Sequence, residues 1–324
     1  MAIDIDKLIN NRILIVILGP TASGKTELSI QLSENLPIEI ISADSRQIYR
    51  YLDIGTAKPT KEELSKVKHH FIDILNPDED YNAGRFGNDA ELKCNEIYKN
   101  GKLPVIVGGS GLYIKSLCEG LFTEEINIDK NQFREKLQKQ FDDYGIDGLY
   151  TELKEFDKIS AEKYSDKNPR RIIRALEHYY SFKEPFSTAH EKKLIKRNFN
   201  VLYFGILFER KKLYDRINLR TEQMWYAGLP VEYSKVISMG YSKDLNSLNS
   251  VGYKECASYY KGKFTKDLAL EEIKKNTRRY AKRQMTWFNR NEEINWLMYN
   301  TDKNIEFILN LVKKFVIPGS LGIS

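Results

Sequence analysis

The stretch of sequence that decides the fold is Ile13-Leu14-Ile15-Val16-Ile17-Leu18-Gly19-Pro20-Thr21-Ala22-Ser23-Gly24-Lys25-Thr26. Its first six residues are all aliphatic, as in a strand that is buried on both faces. The next eight match the pattern G-x-x-x-x-G-K-[ST], in which backbone N–H groups cradle phosphate, the lysine neutralises it and the last hydroxyl holds Mg²⁺. The stretch therefore predicts a P-loop that binds a diphosphate or triphosphate through Gly19, Pro20, Thr21, Ala22, Ser23, Gly24, Lys25 and Thr26.

Two further short apolar runs repeat this arrangement of strand and polar loop. Ile38–Ile41 is followed by the loop Ser42–Ser45, and Pro104–Val107 is followed by the loop Gly108–Gly111. In an open parallel sheet the ligand lies beyond the carboxyl ends of the strands, so these loops converge on one site with the P-loop. We therefore predict an α/β fold with a P-loop NTPase-like parallel sheet core.

The sequence changes in character between about Ile126 and Lys196, where long charged amphipathic stretches replace the strand pattern. This predicts a helical insertion domain at 126–196 and a core formed by 1–125 and 197–324. Val201–Phe208 returns to the strand pattern, and the residues after Leu213 are expected to be mostly helix. The core is therefore predicted to carry a helical C-terminal region.

The composition excludes several classes of protein. With 324 residues, of which 41% are hydrophobic, the chain can bury a substantial core and is neither disordered nor fibrous. The apolar run at Ile13–Leu18 is too short to span a bilayer and follows Asp4 and Asp6, so we expect a soluble, cytoplasmic protein without a membrane partner. We also expect a monomer. The net charge of +6 says little about partners by itself.

Cysteine and histidine do not predict a metal centre. The three cysteines, Cys94, Cys118 and Cys256, are far apart and contain no C-x-x-C pair, so buried reduced thiols are expected. The pair His69-His70 has no metal-binding partners at useful spacing, and we predict that it lies at a helix end or on the surface.

Several longer strings resemble the tRNA dimethylallyltransferase (tRNA isopentenyltransferase) family. The most specific block runs from Asp44 to Pro59, and the likeness extends over nearly the whole chain, from about Ile13 to Phe288. The strings are Ile41-Ser42-Ala43-Asp44-Ser45-Arg46-Gln47-Ile48-Tyr49, Leu52-Asp53-Ile54-Gly55-Thr56-Ala57-Lys58-Pro59, Val107-Gly108-Gly109-Ser110-Gly111-Leu112-Tyr113, Asn168-Pro169-Arg170-Arg171-Ile172-Ile173-Arg174-Ala175-Leu176-Glu177, Val251-Gly252-Tyr253-Lys254-Glu255 and Lys282-Arg283-Gln284-Met285-Thr286-Trp287-Phe288.

The resemblance implies that the P-loop binds the diphosphate of dimethylallyl diphosphate and that the chemistry needs no ATP. Asp44 is then the general base that takes a proton from N6 of the adenine immediately 3′ of the anticodon, since a purine amine is a poor nucleophile until it loses a proton. An N-cap or a Mg²⁺ ligand is the alternative role for Asp44. Ser110 stands where the family usually has Thr and is expected to hydrogen bond to the adenine nucleotide, or else to form only a tight turn.

The resemblance also implies contacts with the tRNA anticodon stem-loop. It assigns such contacts to Asp44, Ser45, Arg46, Gln47, Ser110, Arg134, Arg170, Arg171, Ile172, Ile173, Arg174, Lys282 and Arg283. For Arg134, a solvated helix face is the alternative.

Two basic clusters point to RNA without the family. Asn168 and Pro169 are typical of a helix start, so the arginines at 170, 171 and 174 oppose the helix dipole unless an anion approaches or nearby carboxylates pair with them. A second cluster has the spacing of one helix half, with Lys274, Lys275, Arg278, Arg279, Lys282 and Arg283 on that half and Ile273, Tyr280, Ala281, Trp287 and Phe288 on the other. The basic half suits an RNA backbone, although it could be only a solvated face.

Three other functions remain open from the sequence alone. A small P-loop kinase would use the same P-loop and carboxylate to deprotonate a hydroxyl, but it leaves the basic clusters unexplained. A prenyltransferase acting on free adenine nucleotides would share the P-loop and Asp44. An RNA-binding NTPase switch would hydrolyse ATP without prenyl transfer.

Overall fold

The apolar runs of the sequence form the middle of a parallel sheet. A computed structural model describes residues 3–120, 130–189, 197–299 and 301–315. Its strands are β1 (Ile13–Leu18), β2 (Ile38–Ala43), β3 (His69–His70), β4 (Leu103–Gly108), β5 (Asn200–Leu207) and β6 (Asn295–Met298). They lie in the order β3-β2-β4-β1-β5-β6, and all neighbours are parallel. Because β1, β2 and β4 are buried along their whole length, helices must cover both faces.

The two edge strands correct the predictions made from the sequence. β6 interrupts the C-terminal region that was predicted as mostly helix, and β3 contains the histidines that were predicted at a helix end or on the surface. His70 is half-buried, and its Nε2 lies 2.7 Å from Oε2 of the buried Glu39 on β2. Strands this short carry no period-two pattern, so their sequences do not reveal them.

Helices cover the sheet before and after the insertion. They are α1 (Ile5–Asn10), α2 (Lys25–Ser33), α3 (Lys61–Lys66), α4 (Ala83–Lys99), α5 (Gly111–Cys118), α11 (Arg210–Tyr226), α12 (Leu229–Ser238), α13 (Tyr253–Tyr260), α14 (Lys266–Phe288) and α15 (Thr301–Lys314). A short 3₁₀ turn lies at Asn246–Leu248. Within the described ranges, no helix is both long and apolar enough to cross a bilayer.

The chain divides into two compact units, Met1–Cys118 with Arg197–Ser324 and Glu119–Lys196. The predicted boundaries at 125/126 and 196/197 fall at 121–129 and 190–196, outside the described residues. The second unit contains α6 (Lys130–Tyr144), α7 (Ile146–Phe156), α8 (Lys158–Lys163), α9 (Pro169–Phe182) and α10 (Phe186–Ala189). Its own apolar core includes Leu137, Leu149, Leu153 and Leu176.

A buried arginine joins the chain segments of the first unit on either side of the insertion. Nε of Arg197 donates to the carbonyl of Ser116 in α5 at 3.1 Å, and Nη2 donates to Oδ1 of Asn88 in α4 at 2.8 Å. Glu91 pairs with the same guanidinium, whose side chain is 4% exposed. The points where the chain leaves and re-enters the first unit are thus hydrogen bonded to each other.

The cysteines are reduced and buried, as predicted from the sequence. Burial raises the pKa of Cys256 to about 12, so this thiol stays protonated near neutral pH. Among the described residues, no group of three or more His, Cys, Asp and Glu side chains is placed to hold a metal ion.

Candidate active site

The P-loop joins β1 to α2 and lines a cavity at the carboxyl edge of the sheet. Thr21 to Thr26 form one wall of this cavity. Ala22 and Gly24 both adopt left-handed backbone conformations, with φ of 64° and 83°. Alternation of this kind turns successive N–H groups inward, and the N-terminus of α2 adds its partial positive charge. The loop therefore has the geometry of an anion site.

Lys25 is a half-buried cation in this cavity. Its Nζ donates to the carbonyl of Pro20 at 2.7 Å. Burial and repulsion from Arg220 lower the pKa of Lys25 to about 8, although Asp44 opposes the shift. A cation that is buried without enough negative charge around it is stabilised when an anion binds.

Arg220 is a site residue that the sequence analysis missed. It projects from α11 into the same cavity, and burial lowers its pKa, while Asp44 opposes the shift and Arg216 adds to it. Arg216, one turn earlier, donates from Nε to the carbonyl of Ala22 at 3.0 Å. The i, i+4 spacing of these arginines on a helix that also buries Ile217 was the available signal.

Asp44 follows β2 directly and lines the same cavity as these cations. Its Oδ1 accepts from the backbone N–H of Arg46 at 2.8 Å and of Gln47 at 3.3 Å. These bonds close the turn after β2 and fix the orientation of the carboxylate. The N-cap role weighed from the sequence was wrong, because no helix begins at Asp44 and its carboxylate closes a turn instead. The carboxylate remains in the cavity.

The neighbours of Asp44 are held by the protein itself. Gln47 lines the cavity and donates from Nε2 to the carbonyls of Thr56 and Ala57 at 3.3 and 3.1 Å. Nη1 of Arg46 donates to the carbonyl of Asn246 at 2.5 Å, and Ser45 is half-buried in the turn. The assignment of these three residues to tRNA contact stays a prediction.

The loop between β2 and α3 is held by a carboxylate from α12. Glu232 accepts from the N–H groups of Asp53, Ile54 and Gly55 at 2.9, 2.7 and 2.9 Å. The hydroxyl of Tyr253 donates to the same carboxylate at 2.6 Å. Because Thr56, Ala57 and Pro59 of this loop line the cavity, Glu232 fixes one of its walls.

The turn between β4 and α5 forms the next wall and contains Ser110. The N–H of Ser110 donates to the carbonyl of Ala43 at 3.2 Å, which places Ser110 beside the Asp44 turn. Gln284 of α14 accepts from the N–H of Thr21 at 2.9 Å and donates to the carbonyl of Gly109 at 2.9 Å. Gln284 therefore ties the P-loop to this turn, a role that the sequence string did not reveal.

The basic residues of α14 fall into two groups, one paired with neighbouring side chains and one exposed to solvent. Lys274 pairs with Glu222 and Glu271, Lys275 pairs with Glu272, and Arg278 donates to Asn218 at 2.6 Å. Arg279, Lys282 and Arg283 are exposed. The prediction for the opposite face was wrong for Tyr280 and Trp287, which are exposed, whereas Ile273, Ala281 and Phe288 are buried. Helical spacing locates a face but does not tell where the helix end leaves the core.

The remaining predicted RNA contacts lie in the second unit. Asn168 and Pro169 begin α9, although no side-chain capping bond forms there. Arg170 and Arg171 are exposed, Arg171 lies 3.6 Å from Asp166, and Arg174 lies 3.3 Å from Glu177. Ile172 and Ile173 are buried in the core of the unit, where packing accounts for their side chains. Arg134 is exposed on α6.

The fold and the cavity define a P-loop protein in which a carboxylate and two half-buried cations line one cavity at the phosphate site. A model of the family described as IPP transferase matches residues 47–291. The chain belongs to this family, and the resemblance noted from the sequence is confirmed. The tRNA dimethylallyltransferase of Acetivibrio thermocellus is 43% identical over 94% of this chain and 97% of that protein. The one from Clostridioides difficile is 41% identical over 94% and 97%.

Solved structures agree with the fold prediction. The tRNA isopentenylpyrophosphate transferase of Bacillus halodurans matches with a TM-score of 0.70 and 37% identity, covering 94% of this chain and 97% of that one. A eukaryotic dimethylallyltransferase acting on tRNA matches with a TM-score of 0.78 and 25% identity, covering 92% and 80%. The predicted α/β fold is confirmed.

Proposed function

We propose that the chain transfers a dimethylallyl group from dimethylallyl diphosphate to N6 of the adenine 3′ of the anticodon in tRNA and releases diphosphate. Membership of the family makes it a prenyltransferase. The observation that carries the proposal is the placing of Asp44 in one cavity with Lys25 and Arg220. A base and two cations are the groups that such a transfer requires. We infer that the enzyme acts as a monomer in the cytoplasm.

The donor diphosphate lies on the P-loop in this proposal. Its negative charge complements Lys25 and Arg220, whose lowered pKa values reflect burial and an excess of positive charge. As the bond between the allylic carbon and oxygen breaks, the electron pair leaves with the diphosphate. Preorganised cations that meet this developing charge lower the barrier, because they need no reorganisation during the reaction.

The acceptor amine attacks from the side of Asp44. N6 forms a bond to the allylic carbon, and the carboxylate takes the proton that N6 loses. The products are the prenylated adenine, a protonated Asp44 and free diphosphate. The hydrogen bonds to Oδ1 hold the carboxylate in one orientation. A base positioned in this way contributes about 10² to 10⁴ in rate.

Mg²⁺ fits the oxygen donors of the cavity. Thr26 and Asp44 both line it, and hydroxyl and carboxylate oxygens suit this cation, which is usually shared with substrate phosphates. We propose Thr26 as the protein ligand. When bound, Mg²⁺ would neutralise part of the charge on the leaving diphosphate.

Transfer to a free adenine nucleotide is the second candidate, since it needs the same donor site. The exposed Arg279, Lys282 and Arg283 on α14 favour the larger RNA substrate, because each phosphate contact adds counterion release to the binding energy. A kinase reaction would leave these side chains without a role.

One experiment separates these functions. The protein is incubated with radiolabelled dimethylallyl diphosphate and either unmodified tRNA or AMP, and incorporation into each acceptor is measured. Label in tRNA, mapped to the adenine 3′ of the anticodon, is expected. Label in AMP alone would establish the nucleotide enzyme. In a parallel incubation with labelled ATP and the same acceptors, transfer of phosphate without prenylation would establish the kinase.

A further inference from the structure

Two large aromatic side chains on α14 remain exposed beside the cavity. Trp287 is 40% exposed and Tyr280 is 38% exposed. They are seven residues apart, so they lie on the same helix face, with the buried Gln284 between them. Exposed aromatic side chains beside a nucleic-acid site can act as stacking platforms for bases.

Both rings lie against the candidate site. A Cβ at position 111 would lie 2.2 Å from Cδ1 and Nε1 of Trp287, so this ring rests directly on the backbone of Gly111, next to Ser110. Tyr280 lines the cavity, and burial of its hydroxyl together with the nearby Asp44 raises its pKa to about 12. Position 111 must therefore be glycine, because Trp287 of α14 occupies the space that a Cβ would need.

Each ring also has an arginine three residues later. The guanidinium of Arg283 lies 5.8 Å from the ring centre of Tyr280, and that of Arg290 lies 6.0 Å from the ring centre of Trp287. Both distances are at the outer limit of a cation–π contact. The arginines are exposed, so they remain able to meet a phosphate or a base that stacks on the neighbouring ring.

We propose that Tyr280 and Trp287 form a stacking surface for two unpaired nucleotides of the RNA loop, Tyr280 for the base that enters the cavity and Trp287 for an adjacent nucleotide. The proposal rests on the proposed function. Single-stranded loops are recognised by stacking of splayed bases on aromatic side chains and arginine planes. The two rings on α14, with Arg283 on the same helix and Arg290 just beyond its end, match this chemistry.

The distance between the rings decides how the two bases are arranged. Seven residues of helix correspond to a rise of about 10.5 Å, whereas successive bases of one nucleic-acid strand stack about 3.4 Å apart. Neighbouring bases that occupy both rings must therefore be unstacked from each other. The surface selects an open loop over a stacked helix, which gives the base the freedom it needs to enter the cavity.

The test uses an RNA hairpin with adenines in its unpaired loop and with 2-aminopurine beside the target adenine. Stacking on Trp287 is expected to quench the fluorescence of 2-aminopurine when wild-type protein binds. Trp287→Ala should remove this quenching and weaken hairpin binding about 5- to 150-fold, while Trp287→Phe recovers most of both. Tyr280→Ala should weaken binding to a similar extent, and Tyr280→Phe should recover it.

A matched control is Tyr226→Ala. Tyr226 is 71% exposed and has Lys266 4.6 Å from its ring centre, but it does not line the cavity. Pyrophosphate binding, measured for every variant, reports whether the donor site is intact.

If wild-type protein prenylates RNA and the Trp287 and Tyr280 variants bind the hairpin as wild type does, the stacking surface is overturned while the proposed function stands. If wild-type protein prenylates only AMP, the proposed function fails first.

Discussion

Asp44 illustrates at the scale of one residue how a side chain performs a structural and a chemical task together. One carboxylate oxygen closes the turn after β2, and Asp44 still lines the cavity together with Lys25 and Arg220. Replacement by alanine would remove both tasks at once. Asparagine retains an oxygen for the turn and cannot act as a base, so it isolates the chemistry.

We predict that Asp44→Asn lowers the rate of prenyl transfer by about 10² to 10⁴ and leaves tRNA affinity nearly unchanged. The reason is that the amide preserves the two backbone hydrogen bonds but cannot accept the proton from N6. Single-turnover kinetics with saturating substrates measure the rate, and filter binding measures the affinity. Turnover within about threefold of wild type would exclude Asp44 as the base.

The lowered pKa of Lys25 makes donor binding depend on pH. In the free enzyme this lysine loses its proton near pH 8, and a bound diphosphate favours the charged form and raises the pKa. The affinity for pyrophosphate should therefore be highest below pH 8 and fall up to about tenfold per pH unit above it.

The control for this prediction is Lys25→Arg, whose guanidinium stays charged over the whole range. The ratio of the two dissociation constants cancels the ionisation of pyrophosphate itself. A ratio that stays constant from pH 7 to pH 10 would show that Lys25 does not contact the diphosphate.

At the scale of one element, α14 combines three roles along its length. Its first turns are held by ion pairs, Gln284 ties the P-loop to the β4–α5 turn, and its exposed face carries Arg279, Lys282 and Arg283.

The P-loop and the central strands were predictable because a strong motif and continuous apolar runs mark them. The roles of Arg220, Glu232 and Gln284 were not, because each depends on a contact with a residue far away in the sequence.

We predict that changing Arg279, Lys282 and Arg283 to Gln weakens tRNA binding and makes its logarithmic salt dependence less steep by about 2. Each lost phosphate contact removes about 0.7 from the slope for single-stranded regions. Titrations at several salt concentrations measure this slope. The control replaces Lys275 and Glu272, an ion pair on the same helix, with Gln and removes one charge of each sign. Equal slopes for the triple variant and wild type would show that this face is only solvated.

At the scale of the whole molecule, Glu39 links the edge of the sheet to its interior. Burial opposes its ionisation, but hydrogen bonds from Lys102 and His70 outweigh that effect and hold the pKa of Glu39 below its ordinary value. A carboxyl whose pKa is lowered by folding stabilises the native state above its unfolded pKa. This contribution is lost as the pH falls through the folded pKa.

We predict that Glu39→Gln lowers the free energy of unfolding by about 2 kcal/mol near pH 7, because His70 and Lys102 lose a charged, buried acceptor and keep only a neutral amide. The difference from wild type should shrink below about pH 4, as wild-type Glu39 gains a proton. Urea unfolding at several pH values measures both. A difference that is independent of pH would mean that packing, not charge, is responsible.

The hydrogen bonds formed by Arg197 have a consequence for whether the second unit can be removed from the chain. Because Ser116 and Arg197 are already hydrogen bonded, the first unit does not rely on the intervening segment to bring these points together. A short Gly-Ser linker in place of Glu119–Lys196 would therefore close a small loop at little entropic cost. The shortened chain is expected to unfold cooperatively in calorimetry and to bind pyrophosphate, which would mark the helical unit as a removable module of the enzyme.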